Sequence, residues 1–451
     1  MTRNYYLFLF ILITSLQLAY LSACTKKDTE ELKREKPEKK LEHNPANRGR
    51  IKIIHLFKDT VYTLSDPFTR ESGEQLIIDP GTIIKCNGVN ASIRVFPGGI
   101  IQATGTNENP VVFTSGSYLG TQRAGDWNGI FIEGKSANNS SNAAADVTDF
   151  SGTLNFVRIE FASLTLKSVG SRSVIENVQV SYGFNEPSFK IEGGTFNARN
   201  LVSYASNAPS DFYFTNGYQG RMQNLLAYRH PYFANTTNSY QGLLTGLYIE
   251  NNQFSNQNAH PITFAAISNM TVLGPGNETG VLNLYADTSI RNAAWVTTGH
   301  SLFSIRNSLF MGFKAAGWYL NDSLSGRNLV QLRASCLFSI FENISGNRTF
   351  FLKPGSYPPF TSNDFKNFIL DPRFHNILKD SITLKDPYNY NNPNPFPKED
   401  SLLLNGADFT GIIFSDPFFR KQQYKGALGK ENWMTGWTNF TPLKTNYNFY
   451  N

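Results

Sequence analysis

Cysteine is nearly missing from this chain, with three in 451 residues. An exported protein with so few thiols has no disulfide framework and must be held by a large core. Histidine is scarce too. His43, His55, His230, His260, His300 and His375 lie apart, with none of the spacings that metal ligands adopt, so no metal site is expected. No Gly-x-Ser-x-Gly elbow, phosphate loop or zinc motif occurs, and "SVGSRS" (Ser168 to Ser173) reads as a corner between strands. No cofactor and no catalytic residue is expected. Charged residues are only 17% of the chain. The apolar run from Tyr5 to Leu18 is too short to cross a bilayer.

What is present begins at that run. Arg3 precedes it and "LSAC" (Leu21 to Cys24) closes it, the layout of a secretory signal over 1–23. The tetrapeptide resembles the lipobox of bacterial lipoproteins, which implies that Cys24 is lipidated, palmitate included, and anchors the chain to a membrane. "TKKDTEELKREKPEKKLEHNPANRGR" follows, with nine basic and six acidic side chains and no aromatic. Such a segment buries too little surface to fold alone, so 24–50 reads as a charged tether. Its Lys-then-acid start resembles surface-export signals of some Gram-negative lipoproteins. Outer-membrane attachment, with exposure at the cell surface, is the expectation.

The net charge of +6 is mostly outside the body. Removing the +1 of the signal and the +3 of the tether leaves +2 beyond residue 50. That is no electrostatic footprint for nucleic acid. Cys86 and Cys336 sit in apolar strand-like runs, "TIIKC" and "SCLFSI", and are expected as two buried thiols, with a bridge between them as the alternative. Aromatics, at 14%, supply the core material.

That core is written as a repeat. "FKIEGGTFNARNLVSY" (Phe189 to Tyr204) is echoed 23 residues on by "FYFTNGYQGRMQNLLAY", aligning Phe189 with Phe212, Gly194 with Gly217, Asn200 with Asn224 and Tyr204 with Tyr228. A marker before each short apolar strand extends the series: Phe156, Asn177, Asn200, Asn224, Gly246, Asn269 and Asn307. The intervals are 21, 23, 24, 22, 23 and 38, with Gly and Asn turns between. Alternating segments such as Val178-Gln179-Val180 favour strands over helices. The reading is all-β, a right-handed parallel β-helix over 51–345, with an irregular cap or side layer over 346–451. Equivalent Asn residues then stack, either as an amide ladder at a corner or as an outward row of ligand-binding amides. Phe161, Tyr182, Tyr204 and Tyr228 are expected to stack at the next corner. Near the N-terminus "LIIDPGTII" and "IRVFPGGII" repeat at an offset of 17, and their Pro-Gly pairs predict type II turns.

"GDWNGIFIEG", "SGTLNFVRIEFA", "NGYQGRMQNLLAYR", "IRNSLFMGF" and "YKGALGKENWMTGWTNF" resemble a family of bacterial envelope lipoproteins built as right-handed β-helices. The resemblance covers nearly all the mature chain and implies a lipidated solenoid on the cell envelope, with no catalytic residue to carry over. Where relatives have an Asp-rich run this chain reads "NAPSDFYFTNG", keeping Asp211 alone.

Cleavage of polysaccharide needs paired carboxylates on neighbouring coils, or a Lys or Arg base beside acids that hold calcium. Glu160, Glu176, Glu186, Glu192, Asp211 and Glu250 mostly miss a common register, and the Glu186–Asp211 region is the one place to search for a pair on a shared corner. Lys190, Arg221 and Arg229 are the available bases. Recognition asks for less. Tyr213, alternating with inward Phe212 and Phe214, is expected to face out, and with Lys190, Tyr218, Tyr228, Arg229 and Tyr232 to form a patch for a glycan or a surface protein. A polysaccharide lyase or hydrolase is the alternative, and a spacer without a ligand the second.

Overall fold

Short apolar-polar-apolar segments separated by turns cannot bury their inward side chains alone, and here each stacks on the segment one coil away. The computed structural model describes residues 35–42, 52–141, 144–229, 244–274, 276, 293–357, 360–389 and 392–449. The signal, Cys24, most of the tether, His43, His230 and Tyr232 lie outside them. Glu38–Thr445 forms one compact unit; in the other, Glu35 bridges Phe449 and the Lys36 amide donates to Asn448 O at 2.9 Å.

The larger unit is a right-handed parallel β-helix with three faces. The first face starts with Ile53–Leu56, Gln75–Ile78 and Ile100–Thr104; the second with Val61–Leu64, Ile83–Cys86 and Val111–Ser115. The third runs through Pro67–Arg70, Ser92–Val95, Ile130–Glu133, Leu164–Lys167, Phe189–Glu192, Ser210–Thr215, Thr245–Glu250, Ala293–Thr298, Ala316–Leu320 and Phe350–Leu352. All these pairings are parallel, the connection that favours a right-handed crossover. Glu38–Lys40, inside the stretch read as tether, already pairs with Val61–Leu64 on the second face. At the other end Ile377–Lys379 still pairs with Ile340–Glu342, beyond residue 346.

From Gly152–Glu160 onward one long strand serves two faces, bent at a single left-handed residue. Phe156, Asn177, Asn200, Asn224, Asn269, Asn307 and Phe338 occupy that bend, with φ between 52° and 58°. Asn enters this region at little cost, whereas most L-residues do not. The side chains then join along the axis: Asn177 Nδ2 donates to Asn155 Oδ1 at 2.8 Å, Asn200 to Asn177 at 2.9 Å and Asn224 to Asn200 at 2.9 Å. The repeated Asn is a corner residue with an amide ladder, not an outward ligand row. Phe156 holds the same conformation while packing edge-on against Trp437, 6.1 Å between centroids.

Two expectations from the repeat need correction. Gly246 is not a corner. It belongs to Thr245–Glu250 on the third face, where Ser210 pairs with Thr245 and Phe212 with Leu247. One long coil therefore joins Asn224 to Asn269. Its Gly is needed for packing, since a Cβ there would lie 2.1 Å from Val272 Cγ1. The 17-residue echo is not a coil either. Leu76 stacks on Ile101, 25 residues on, so the two Pro-Gly motifs mark different corners. Both turns are nonetheless type II, with Gly81 at φ 79°, Gly98 at φ 91°, and closing bonds from Thr82 N to Asp79 O and from Gly99 N to Phe96 O.

The interior is aromatic. Phe189 stacks on Phe212 at 4.9 Å and Trp295 on Trp318 at 3.7 Å. Phe161, Tyr182, Tyr204 and Tyr228 form a column with centroids 5.1, 6.1 and 5.6 Å apart. Cys86 and Cys336 are free and buried, and burial pushes the Cys336 thiol up to about 12. The C-terminal segment lies along the ladder corner. There side-chain amides act as backbone surrogates: Gln179 pairs with both main-chain groups of Asn439, Gln223 with those of Arg420 and Asn307 with those of Asp408, at 2.7–2.9 Å. The Gln179, Gln223 and Asn307 amides are thereby satisfied by the C-terminal segment.

Candidate functional site

Among the described residues no such cover lies over the middle coils of the third face. Alternation turns Phe189, Ile191, Phe212, Phe214, Leu247 and Ile249 inward, which leaves Lys190, Tyr213 and Tyr248 outward in one register row. Coils stack at about 4.8 Å, so these three side chains form a short strip along the axis. The adjoining strand position carries Glu192 and, two coils on, Glu250. Asn185, Glu186 and Pro187 on one side and Pro209 and Ser210 on another raise rims around them. The result is an open cleft of about 240 Å³, lined also by Gln253.

Its charges are arranged unequally. Lys190 Nζ lies 3.0 Å from Glu186 Oε2 and 3.2 Å from Glu192 Oε1. Burial pulls the ammonium's pKa down, but the Glu192 and Glu186 carboxylates outweigh it and hold it above its usual value. Across the strip the Tyr213 hydroxyl donates to Glu250 Oε1. Burial pushes Glu250 up to about 7, against the pull of that hydrogen bond. Burial, with Glu250 close by, also raises Tyr213 and Tyr248 well above the ordinary phenol. The two tyrosine rings are 5.4 Å apart and inclined at 66°, giving the cleft two differently facing aromatic walls.

The residues anticipated for a binding patch divide. Lys190 and Tyr213 meet in the cleft. Tyr218, Tyr228 and Arg229 are buried and lie on no surface. Tyr218 OH donates to Phe196 O at 2.9 Å, and the Tyr228 hydroxyl is spent on Pro387 O. Arg229 Nε lies 2.8 Å from Asp211 Oδ2, and its terminal nitrogens donate to Ala208 O and Thr245 O. Ser203 donates to the other Asp211 oxygen at 2.6 Å. Burial raises the Asp211 carboxyl, opposed by Arg229 and Ser203. Glu186 and Asp211 are thus no catalytic pair: one rims the cleft and the other is sealed inside. Tyr232 lies outside the described residues.

Tyr248 was missed. Taking Gly246 as a corner put "GLYIE" on the wrong face, whereas "FYFT" (Phe212 to Thr215) over "LYIE" (Leu247 to Glu250) gives the true register. Among the described residues no group of three His, Cys, Asp or Glu side chains stands ready to hold a metal. The described histidines stay apart: His55 lies 2.7 Å from Asp79, His300 Nδ1 is 2.8 Å from Gln257 O, and His375 stacks on Phe338. Among the described residues no helix is long and apolar enough to cross a membrane.

A family described as a pectate-lyase like beta helix domain matches residues 50–308, more than half of the chain. The chain belongs to that family. No curated protein and no solved structure matches it.

Proposed function

We propose that this protein is an outer-membrane lipoprotein whose β-helix binds a glycan through the third-face cleft without cleaving it. The observation that carries the reading is the strip of Lys190, Tyr213 and Tyr248, an outward aromatic and polar surface recessed between rims. Tyrosine presents an apolar ring face on which a sugar packs, while the Lys190 ammonium donates and the nearby carboxylates accept hydrogen bonds. Family membership supplies a scaffold used for polysaccharide chemistry, and function must be argued from the site itself.

Lyase chemistry is disfavoured by the state of the bases. A lyase needs a neutral base near the sugar carbon acid. Lys190 is held charged between two carboxylates, Arg221 lies 2.9 Å from Asp416, and Arg229 is sealed against Asp211. Hydrolysis is the second reading, and one observation favours it. Glu250 at about 7 carries its proton near neutrality, as a general acid must.

Membrane attachment is read from the N-terminal signal and Cys24, where acyl chains hold the chain on the membrane. The test is a glycan array together with a reducing-end and unsaturated-product assay on the full chain. Binding without products supports recognition, and products that vanish in Glu250→Gln replace it with hydrolysis. Silence in both assays leaves a spacer. A Cys24→Ala chain that stays in the membrane fraction would remove the lipid anchor.

A further inference from the structure

Resting on that glycan-binding reading, we infer that the cleft selects a glycan bearing free amines, an amino sugar in its ammonium form, over the acidic polysaccharides suggested by the family's description. The reason is the sign of the charge that remains once the internal pairs are counted. Among the described residues Lys190 is the sole cation lining the cleft, and its ammonium is committed at 3.0 and 3.2 Å to Glu186 and Glu192. Two carboxylates against one ammonium leave an excess of negative charge on that side. Glu250 adds a carboxyl on the other side, beside Tyr213. A uronate entering here would meet like charge at Glu186, a partly ionised carboxyl at Glu250, and no unpaired cation among the described lining residues.

An ammonium meets the opposite situation. The carboxyl oxygens of Glu186 and Glu250 accept charge-assisted hydrogen bonds, and the faces of Tyr213 and Tyr248, inclined at 66°, attract a cation through their ring quadrupoles. The same rings pack against the apolar face of the sugar that carries the amine. Glu186 is the accessible partner, its side chain 42% exposed, whereas Glu192 is nearly closed off at 8%. Binding therefore adds a second cation to a carboxylate pair that one lysine already holds in place.

The experiment is titration calorimetry of the full chain at pH 7 and low salt with three oligomers of equal length: a glucosamine oligomer, its fully N-acetylated counterpart, and an oligogalacturonate. The expected result is about tenfold tighter binding of the aminated oligomer than of the acetylated one, no binding of the uronate, and loss of the preference in Glu186→Gln. Retention of the preference in that variant would overturn the role of Glu186. Equal or tighter binding of the acetylated oligomer, or binding of the uronate, would overturn the charge assignment while leaving glycan recognition standing. If no oligomer binds but a lysine-rich peptide does, the glycan reading falls and the cleft is a peptide site. If nothing binds, both fall.

Discussion

Two charged clusters lie within neighbouring coils and have opposite fates. Asp211 and Arg229 are sealed, with the guanidinium bonded to a carboxylate and two carbonyls and the carboxylate bonded to Ser203. Glu186, Lys190 and Glu250 face an open cleft, and the Lys190 cation is outnumbered by acids. Asp211 and Tyr213 are two residues apart on one strand, so composition does not separate the clusters; position does. Asp211 stands near a corner where the chain turns over it, Tyr213 at mid-face where nothing in the described chain seals it. Charge completion marks structure, and charge excess marks the face proposed to take a ligand.

The largest effect should come from breaking the sealed cluster. Arg229→Met strips Asp211 of its counter-charge in the interior, and a loss of about 3–5 kcal/mol is expected. Calorimetric melting would record it. Asp211→Asn combined with Arg229→Met should recover much of that loss, since no buried charge is then unpaired. If the single variant melts like the parent, the cluster is not structural and the contrast with the cleft collapses.

The ladder corner comes next. Asn200 both donates to Asn177 and accepts from Asn224, and sits at φ 57°. Asn200→Ala removes two hydrogen bonds and places a β-carbon residue in the left-handed region without local support, costing about 2–3 kcal/mol in all. Asn200→Gly keeps the conformation and should lose about 1 kcal/mol less. Equal losses would mean that conformation contributes nothing there.

Glu250 sharpens the comparison from the open side through pH. Its folded pKa of about 7 stands above the ordinary glutamate value of 4.5. Between those values the folded protein keeps a proton that the unfolded chain has released. Stability therefore falls as pH rises through that window and levels off above it. Glu250→Gln removes the dependence. Its melting temperature should match the parent near pH 4 and exceed it above pH 7, by the equivalent of about 2 kcal/mol once partial exposure is allowed for. The same variant should bind the aminated oligomer more weakly. A residue kept for stability would not show that pairing of gains and losses.

How much of this was legible depended on what each residue stacks on. The Phe189/Phe212, Gly194/Gly217, Asn200/Asn224 and Tyr204/Tyr228 equivalences are true register partners or share a bend, because a solenoid repeats its contacts with its residues. Phe156 was readable as a corner even without an amide, since the flanking strand pattern is the same. Gly246 failed because glycine is as common at tight packing as at turns, and the insert before it hid the true interval. Tyr218 and Tyr228 failed for a related reason. Strand alternation gives side-chain direction only at mid-strand, where it correctly placed Tyr213. At corners, and wherever the C-terminal segment returns to cover a face, direction no longer decides exposure. The burial of Arg229 depends on Ala208 and Asp211 on one segment and Thr245 on another, partners that no local pattern encodes.

The smallest expected effect is also the sharpest test, because it sets two tyrosines against each other with one atom removed from each. Tyr218→Phe deletes a buried hydroxyl whose acceptor, Phe196 O, is left behind, and about 1 kcal/mol of stability should go with it. Binding should not change, since the ring is sealed in the core. Tyr213→Phe deletes the donor to Glu250 in the open cleft. Water can replace that donor, so stability should move less. Without the hydrogen bond that draws Glu250 downward, however, its pKa should rise further, and more of it is neutral at pH 7. Binding of an ammonium-bearing oligomer should then weaken at neutral pH and recover as pH is raised. If Tyr218→Phe weakens binding and Tyr213→Phe does not, the division of the molecule into a completed interior and an uncompleted face is drawn in the wrong place.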